Sequence, residues 1–236
     1  MNLSAFCAAS AAALYLFSAG AQATGVLPDS SVVIVEEGDG EGAINLQNTD
    51  RFPILLLSTL QDIEQDTEKL LLVTPPVARV EPGKTQRIRF MLTTKIPLKT
   101  ERLKRVVFEG VPPQEKDKNV VRMTVRQNLP VIIRPTGLAR DEAPWKRLIW
   151  SLKGGALSVS NPSAYIVRLG QGVTTLPDQT SWILPNTYVL PGQQLTLTKQ
   201  AKHHDDTSTG VARNVRISPA TTWGFTVDSY EAPLAP

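Results

Sequence analysis

His203-His204-Asp205-Asp206 is the most chemically suggestive cluster, and it holds both histidines of the chain. Adjacent imidazoles and carboxylates are metal-ligand types, and a histidine beside an aspartate is part of a Ser-His-Asp triad. The spacing argues against both. Consecutive residues of an extended chain point to opposite faces, and Lys199, Lys202, Thr207, Ser208 and Gly210 make the surroundings a polar loop. No Gly-x-Ser-x-Gly elbow presents a nucleophile. No Gly-rich loop follows a strand and opens a helix to cradle phosphate. Glu36, Glu37, Asp39 and Glu41 surround glycines without the ligand order of a calcium loop. The chain is expected to be no enzyme and to use no metal or cofactor. A hydrolase built on His203 or His204 is the weakest reading.

The arginines suggest binding instead. Arg122 and Arg126 lie on the polar side of one extended stretch, and Arg87 and Arg89 on the polar side of another. A guanidinium in a cleft can grip a carboxylate through paired hydrogen bonds. For any single arginine the ordinary alternative is a solvated strand face.

These side chains must be positioned by strands. Asn119–Pro135 reads as one long strand. Val121, Met123 and Val125 alternate with Arg122, Thr124 and Arg126, the period of a strand with one apolar face. Val131-Ile132-Ile133 is an apolar run closed by Arg134-Pro135. Pro130 lies between the two halves and gives no ladder donor, which places part of the strand at a sheet edge. A long apolar edge is normally hidden. An exposed one would also let unloaded copies of the chain self-associate.

Residues 1–23 carry no charged side chain and read as a leader. Ala21-Gln22-Ala23 has the form of a signal-peptidase site before Thr24, although a basic n-region is missing. A transmembrane anchor would need a longer apolar run. The sole cysteine, Cys7, lies inside this leader. The mature chain therefore has no disulfide or thiolate site and must be held by its core. A net charge of +3 is too mild for nucleic-acid binding.

The rest is a succession of short strands. Val26–Val35, Ala43–Asn48, Pro53–Leu60, Thr85–Leu92 and Arg102–Val111 precede the long strand, and Pro53–Leu60 is expected to be buried on both faces. Gln61–Lys69 is acidic and reads as a helical turn or a loop. Thr136–Pro144 has linker composition. Leu148–Lys153 and Ala156–Asn161 flank Gly154-Gly155, a hairpin signal. Tyr165–Leu169, Ser181–Leu184, Gln194–Lys199, Asn214–Ser218 and Trp223–Tyr230 follow. No apolar stripe runs at helical period for three turns. The expected fold is all-β, with two β-sandwiches in residues 24–135 and 145–236 and a linker over 136–144.

In four stretches the sequence resembles the PapD-like periplasmic pilus chaperones. Val73-Thr74-Pro75-Pro76, with Arg79 and Glu81-Pro82-Gly83, is similar to one family segment. Glu101–Pro113 resembles a strand ending in Pro-Pro, and Asn119–Pro135 the long strand ending in Arg-Pro. Asn161-Pro162-Ser163 with Tyr165, then Leu190-Pro191-Gly192, resembles the opening of the second domain. The resemblance implies two immunoglobulin-like domains at an angle, with a cleft between them. It implies a periplasmic protein that lends an edge strand to pilus subunits and delivers them to an outer-membrane usher, without ATP. By resemblance Val121, Met123, Val125 and Leu129 are the lent side chains. Glu101 and Arg134 would form an interdomain ion pair, with Asp228 as a third member, although the count allows Ser229 in its place. The short Gln114–Lys118 loop resembles the branch that serves rod-forming pili.

Two positions depart from the family. Its cleft carries a basic pair that holds the subunit's C-terminal carboxylate, and the corresponding residues here are Ser31 and Pro130. Three alternatives follow. Arg126, Arg87 or Arg89 supplies the anchor, which is the preferred expectation. Strand addition alone holds the subunit. Or the binding mode has shifted. The competing functional class is an exported β-sandwich adhesin or pilus subunit. Such a subunit should carry an N-terminal donor extension, for which Thr24–Asp29 is too short.

Overall fold

The computed structural model describes residues 25–113, 124–200 and 210–236. The leader, the Gln114–Lys118 loop, Val121, Arg122 and Met123, and the cluster His203–Asp206 lie outside the described residues.

The first domain contains β1 (Val26–Pro28), β2 (Val33–Glu36), β3 (Glu41–Asn48), β4 (Ile54–Gln61), β5 (Leu71–Thr74), β6 (Val77–Val80), β7 (Thr85–Leu92), β8 (Arg102–Val111) and β9 (Arg126–Arg134). They join in the order β5-β7-β3-β2-β9-β8-β4-β6, with β1 on β3. Alternation explains the strands. In β7, Ile88 and Phe90 are buried and Arg87 and Arg89 exposed. In β4, Ile54, Leu56 and Ser58 are buried while Leu55 stays 44% exposed. The expectation that Pro53–Leu60 is buried on both faces therefore fails. Leucine does not reveal which face is covered, because exposed apolar atoms are common on protein surfaces. All nine strands send side chains into one core, among them Val35, Ile44, Leu56, Phe90, Phe108 and Ile133, so the sheet closes over itself as a sandwich.

Between β2 and β3, residues 37–39 form a 3-10 turn. Gly40 ends it at φ 71°, a left-handed conformation that glycine adopts without a Cβ penalty.

The second domain contains β10 (Ile149–Lys153), β11 (Ala156–Ser160), β12 (Val167–Leu169), β13 (Gly172–Leu176), β14 (Ser181–Ile183), β15 (Tyr188–Val189), β16 (Gln194–Thr196), β17 (Thr198–Lys199), β18 (Asn214–Ile217), β19 (Pro219–Ala220) and β20 (Tyr230–Ala235). The Gly154-Gly155 hairpin forms as its composition indicates, both glycines taking positive φ. An eight-stranded sheet and the three-stranded sheet β15-β12-β19 enclose a second core around Trp150, Leu157, Trp182 and Val215. The expected Trp223–Tyr230 strand is instead a turn, with strand structure resuming at Tyr230. Gly224 breaks it, as its amide bonds to the Thr221 carbonyl at 2.9 Å.

A third apolar cluster joins the domains. Val32, Ile63, Leu103 and Ile132 of the first meet Ile166 of the second. The acidic segment after β4 serves this junction. Its Ile63↔Asp66 bridge closes a tight loop. Asp66 Oδ1 is held by Arg102 at 2.6 Å and by the buried Lys104 ammonium at 2.8 Å. The loop thus drives Ile63 into the junction and sets Gln65 Oε1 to accept from the Tyr188 hydroxyl at 3.2 Å.

Candidate functional site

Strand β9 is unequally covered along its length. On one side it pairs antiparallel with β8 from Arg126 to Ile133. On the other, β2 runs parallel to it only from Val131 to Arg134. Among the described residues no strand covers that second edge from Arg126 to Pro130. The sequence places one continuous strand from Asn119, whereas the described strand begins at Arg126 and Thr124 and Val125 stand outside it.

The faces of β9 are also distinct. Leu129, Val131 and Ile133 point into the sandwich, and Ile132 points toward the second domain. Val125 is 54% exposed, as a lent side chain must be. Leu129 differs from that expectation: it is half-buried and packs on its own domain's core. Pro130 does not interrupt the strand. It is buried opposite Arg105 of β8, at the last position before β2 joins. A residue without an amide hydrogen is tolerated where only one neighbouring strand needs a donor.

The three arginines expected to anchor a carboxylate do not converge. Arg126 Nε donates to Glu109 Oε2 at 2.8 Å. Arg89 is ion-paired with Glu41 across the β3–β7 ladder. Arg87 is exposed on β7, which β3 and β2 separate from β9. Sequence periodicity identified polar faces but not which strands are neighbours.

The arginines that do reach the interdomain cleft are Arg105 and Arg168. With Pro130, Ser218, Thr226 and Val227 they line an open cleft of 310 Å³. Arg105 Nε and Nη2 donate to the side-chain and main-chain oxygens of Asn128, both at 2.7 Å, which fixes its guanidinium beside the open edge. Arg168 projects from β12 of the second domain, and its buried Nη1 has no acceptor among the described residues. Burial pushes its pKa below the usual guanidinium range, and the charge of Arg105 pushes the same way. Burial also lowers that of Arg105, an effect opposed by Tyr188. The signal for Arg168 was an arginine inside an otherwise apolar run, YIVRL, whereas Arg105 follows Lys104 in the mixed stretch RLKRVVFEGV and carried no such signal.

Ser31 stands against the second domain. Its Oγ donates to the Gly224 carbonyl at 3.4 Å. Gly224 has φ 91°, and a Cβ there would collide with Ser31 Oγ. A long cation at position 31 would meet this turn.

Glu101, Arg134 and Glu36 form a network behind the cleft. Arg134 Nε donates to Glu101 Oε1 at 3.2 Å and Arg134 Nη1 to Glu36 Oε1 at 2.9 Å. Glu101 Oε2 accepts the Ile166 amide hydrogen at 2.8 Å, and the Glu101 amide donates to the Ala164 carbonyl at 2.9 Å. Burial raises the Glu101 pKa, partly offset by the Ile166 amide and Arg134. Asp228 forms no salt bridge among the described residues. The second carboxylate on Arg134 is Glu36, which parallel pairing places opposite it.

Two family models match this arrangement in order: the N-terminal domain of PapD, a pili and flagellar-assembly chaperone, over residues 25–139, and the C-terminal domain of the same chaperone over residues 143–227. The chain belongs to the PapD-like pilus chaperones. It is 37% identical over 217 residues to YhcA of Escherichia coli strain K12, an uncharacterized fimbrial chaperone, covering 90% of this chain and 92% of that one. It is 27% identical to the chaperone MrkB of Klebsiella pneumoniae, over 66% of this chain and 72% of MrkB. Its fold matches a structure of the Salmonella enterica SafA pilin in complex with the SafB chaperone, with a TM-score of 0.71 at 21% identity, covering 91% of this chain and 99% of that chain. These similarities support the chaperone class and not the alternative of an adhesin or subunit. The two chaperone domains are the two sandwiches.

Proposed function

We propose that this chaperone binds pilus subunits by lending them the open edge of β9 and the residues preceding it. The uncovered Arg126–Pro130 edge is the observation that carries this reading. An open ladder offers main-chain donors and acceptors to an incoming strand, and alternate side chains select the groove they enter. Val125, with Met123 and Val121 before it, supplies those side chains. Val125 is exposed and belongs to no hydrophobic cluster among the described residues, so its burial in a client adds favourable free energy on binding. The leader directs the chain to the periplasm and is removed before Thr24, and an outer-membrane usher receives the loaded subunit. The chaperone–pilin complex of the Salmonella SafB–SafA structure supports the partner class.

Co-expression with pilus subunits and co-purification from the periplasm tests the reading. Wild-type chaperone should carry a subunit, and Met123→Glu and Val125→Glu should lose it while staying folded. A complex that persists at wild-type yield in both variants overturns the lent-strand assignment.

A further inference from the structure

Arg105 and Arg168 are unusual as a pair. They come from different domains and line one cleft, close enough for the charge of Arg105 to lower the pKa of Arg168, and no carboxylate is among the residues that line the cleft with them. No salt bridge links either to an acid among the described residues. Bringing two guanidiniums together while removing water from them is unfavourable unless an anion completes the group. Arg168 Nη1 is buried, and no oxygen among the described residues accepts its hydrogens. Buried polar groups in native proteins nearly always have partners, and a charged donor is the most costly exception.

The position of the pair indicates which anion fits. A strand laid along the open edge of β9 cannot continue past Pro130, because β2 occupies that edge from Val33 onward. The strand must therefore end or turn at the cleft, beside Arg105, the cross-strand partner of Pro130. An incoming strand that began there would bring an ammonium against two guanidiniums. One that passed through would bring only neutral amides. One that ended there would bring a carboxylate, the planar anion that guanidinium forks match.

We propose that Arg105 and Arg168 together hold the C-terminal carboxylate of the bound subunit, one cation from each domain. This rests on the lent-strand reading. It differs from the basic pair of the family, whose positions are Ser31 and Pro130 here. It also goes beyond anchoring, because a carboxylate shared between the domains ties client binding to their mutual position. The turn at Gly224 closes over Ser31, and the anion site moves to the two residues that the junction brings together.

The test uses the full-length chaperone, a subunit that co-purifies with it, and the same subunit extended by a Gly-Ser-Gly tail. Arg105→Gln and Arg168→Gln should each weaken capture of the native-ended subunit by on the order of tenfold or more. They should leave capture of the extended subunit, already weak in wild type, nearly unchanged. Free Arg168→Gln should melt no lower than wild type, since it removes a repelled charge, and Arg168→Lys should retain part of the capture. Equal capture of the native-ended subunit by wild type and both variants overturns the proposal while leaving the lent strand intact. Equal losses for native-ended and extended subunits point to an internal Asp or Glu side chain and overturn it too. Stabilisation by sodium sulfate that depends on both arginines, without any change in capture, assigns the pair to free inorganic anion and likewise overturns it. If wild type captures no subunit, it is the lent-strand reading that fails.

Discussion

Glu101 of the first domain accepts the amide hydrogen of Ile166 of the second at 2.8 Å. One carboxylate thus connects the Arg134 guanidinium at the end of β9 to the start of β12, whose next polar side chain is Arg168. The domain junction and the candidate anion site are parts of one construction. A buried ion pair is poor at adding stability but well suited to fixing a geometry.

Removing Glu101 should therefore be costly. Arg134 is 3% exposed and Glu101 2% at their side chains, so Glu101→Ala leaves a buried guanidinium with Glu36 as its one carboxylate partner among the described residues, beside the Leu138 and Ala139 carbonyls, and takes the acceptor from the Ile166 amide. Deleting one member of a buried pair costs about 3–5 kcal/mol. Urea unfolding should show that loss, and small-angle scattering should show a broader distribution of domain orientations. A variant within about 0.5 kcal/mol of wild type, with unchanged scattering, would contradict the assignment.

Gly224→Ala tests the closure over Ser31. Glycine alone takes φ 91° freely, and the added methyl meets Ser31 Oγ. The expected destabilisation is about 1–3 kcal/mol. Gly224→Ala combined with Ser31→Gly should recover the steric part but not the backbone part. Full recovery would show that the backbone conformation costs little.

Asp66 gives the fold an acid limit. Burial alone would raise its pKa, but hydrogen bonds from Arg102 and Lys104 outweigh this and hold the carboxyl below its ordinary value of 3.8. A group depressed in the folded state stabilises above its unfolded pKa, and that contribution is lost as pH falls through the folded value. The gap in urea midpoint between wild type and Asp66→Asn should thus be full at neutral pH and shrink below about pH 4. Glu101 has a raised pKa and works in the opposite direction, favouring the fold at acid pH and losing that contribution as pH rises through the folded value. A gap that stays constant down to pH 2 would contradict the role of Asp66.

Arg126→Ala should change little. Its partner Glu109 lies on an adjacent strand and the arginine side chain is 70% exposed, so the pair contributes at most about 1 kcal/mol. Capture of a native-ended subunit should fall less than threefold, far less than with Arg105→Gln. The opposite ranking, read by co-purification yield, would return the anchor to Arg126.

Much of the architecture was legible because strands announce themselves locally. Ile88 and Phe90 alternate with Arg87 and Arg89, and Gly154-Gly155 sits between two β runs, so their elements follow from period and turn chemistry alone. Pro130 marked an edge for a reason intrinsic to proline. The errors have equally physical sources. Pro53–Leu60 looked buried on both faces because sequence shows that a side chain is apolar, not what covers it. The Trp223–Tyr230 stretch has strand-forming residues, but Gly224 turns it back against Ser31. Asp228 was placed by counting along the chain, whereas Glu36 reaches Arg134 through the parallel pairing of β2 with β9.

By itself the sequence determined the all-β class, the two-domain division and the edge character of the strand ending at Arg134-Pro135. Each depends on local pattern: side-chain alternation, proline's missing donor and the runs that punctuate strands. Only the tertiary structure decided which cations share the cleft. Arg105 and Arg168 are separated along the chain by β9, the segment that follows it and the β10–β11 hairpin. They meet because Ile132, Leu103 and Ile63 pack against Ile166 and bring β8 and β12 to one interface. Long-range packing of that kind leaves no periodic trace in the sequence.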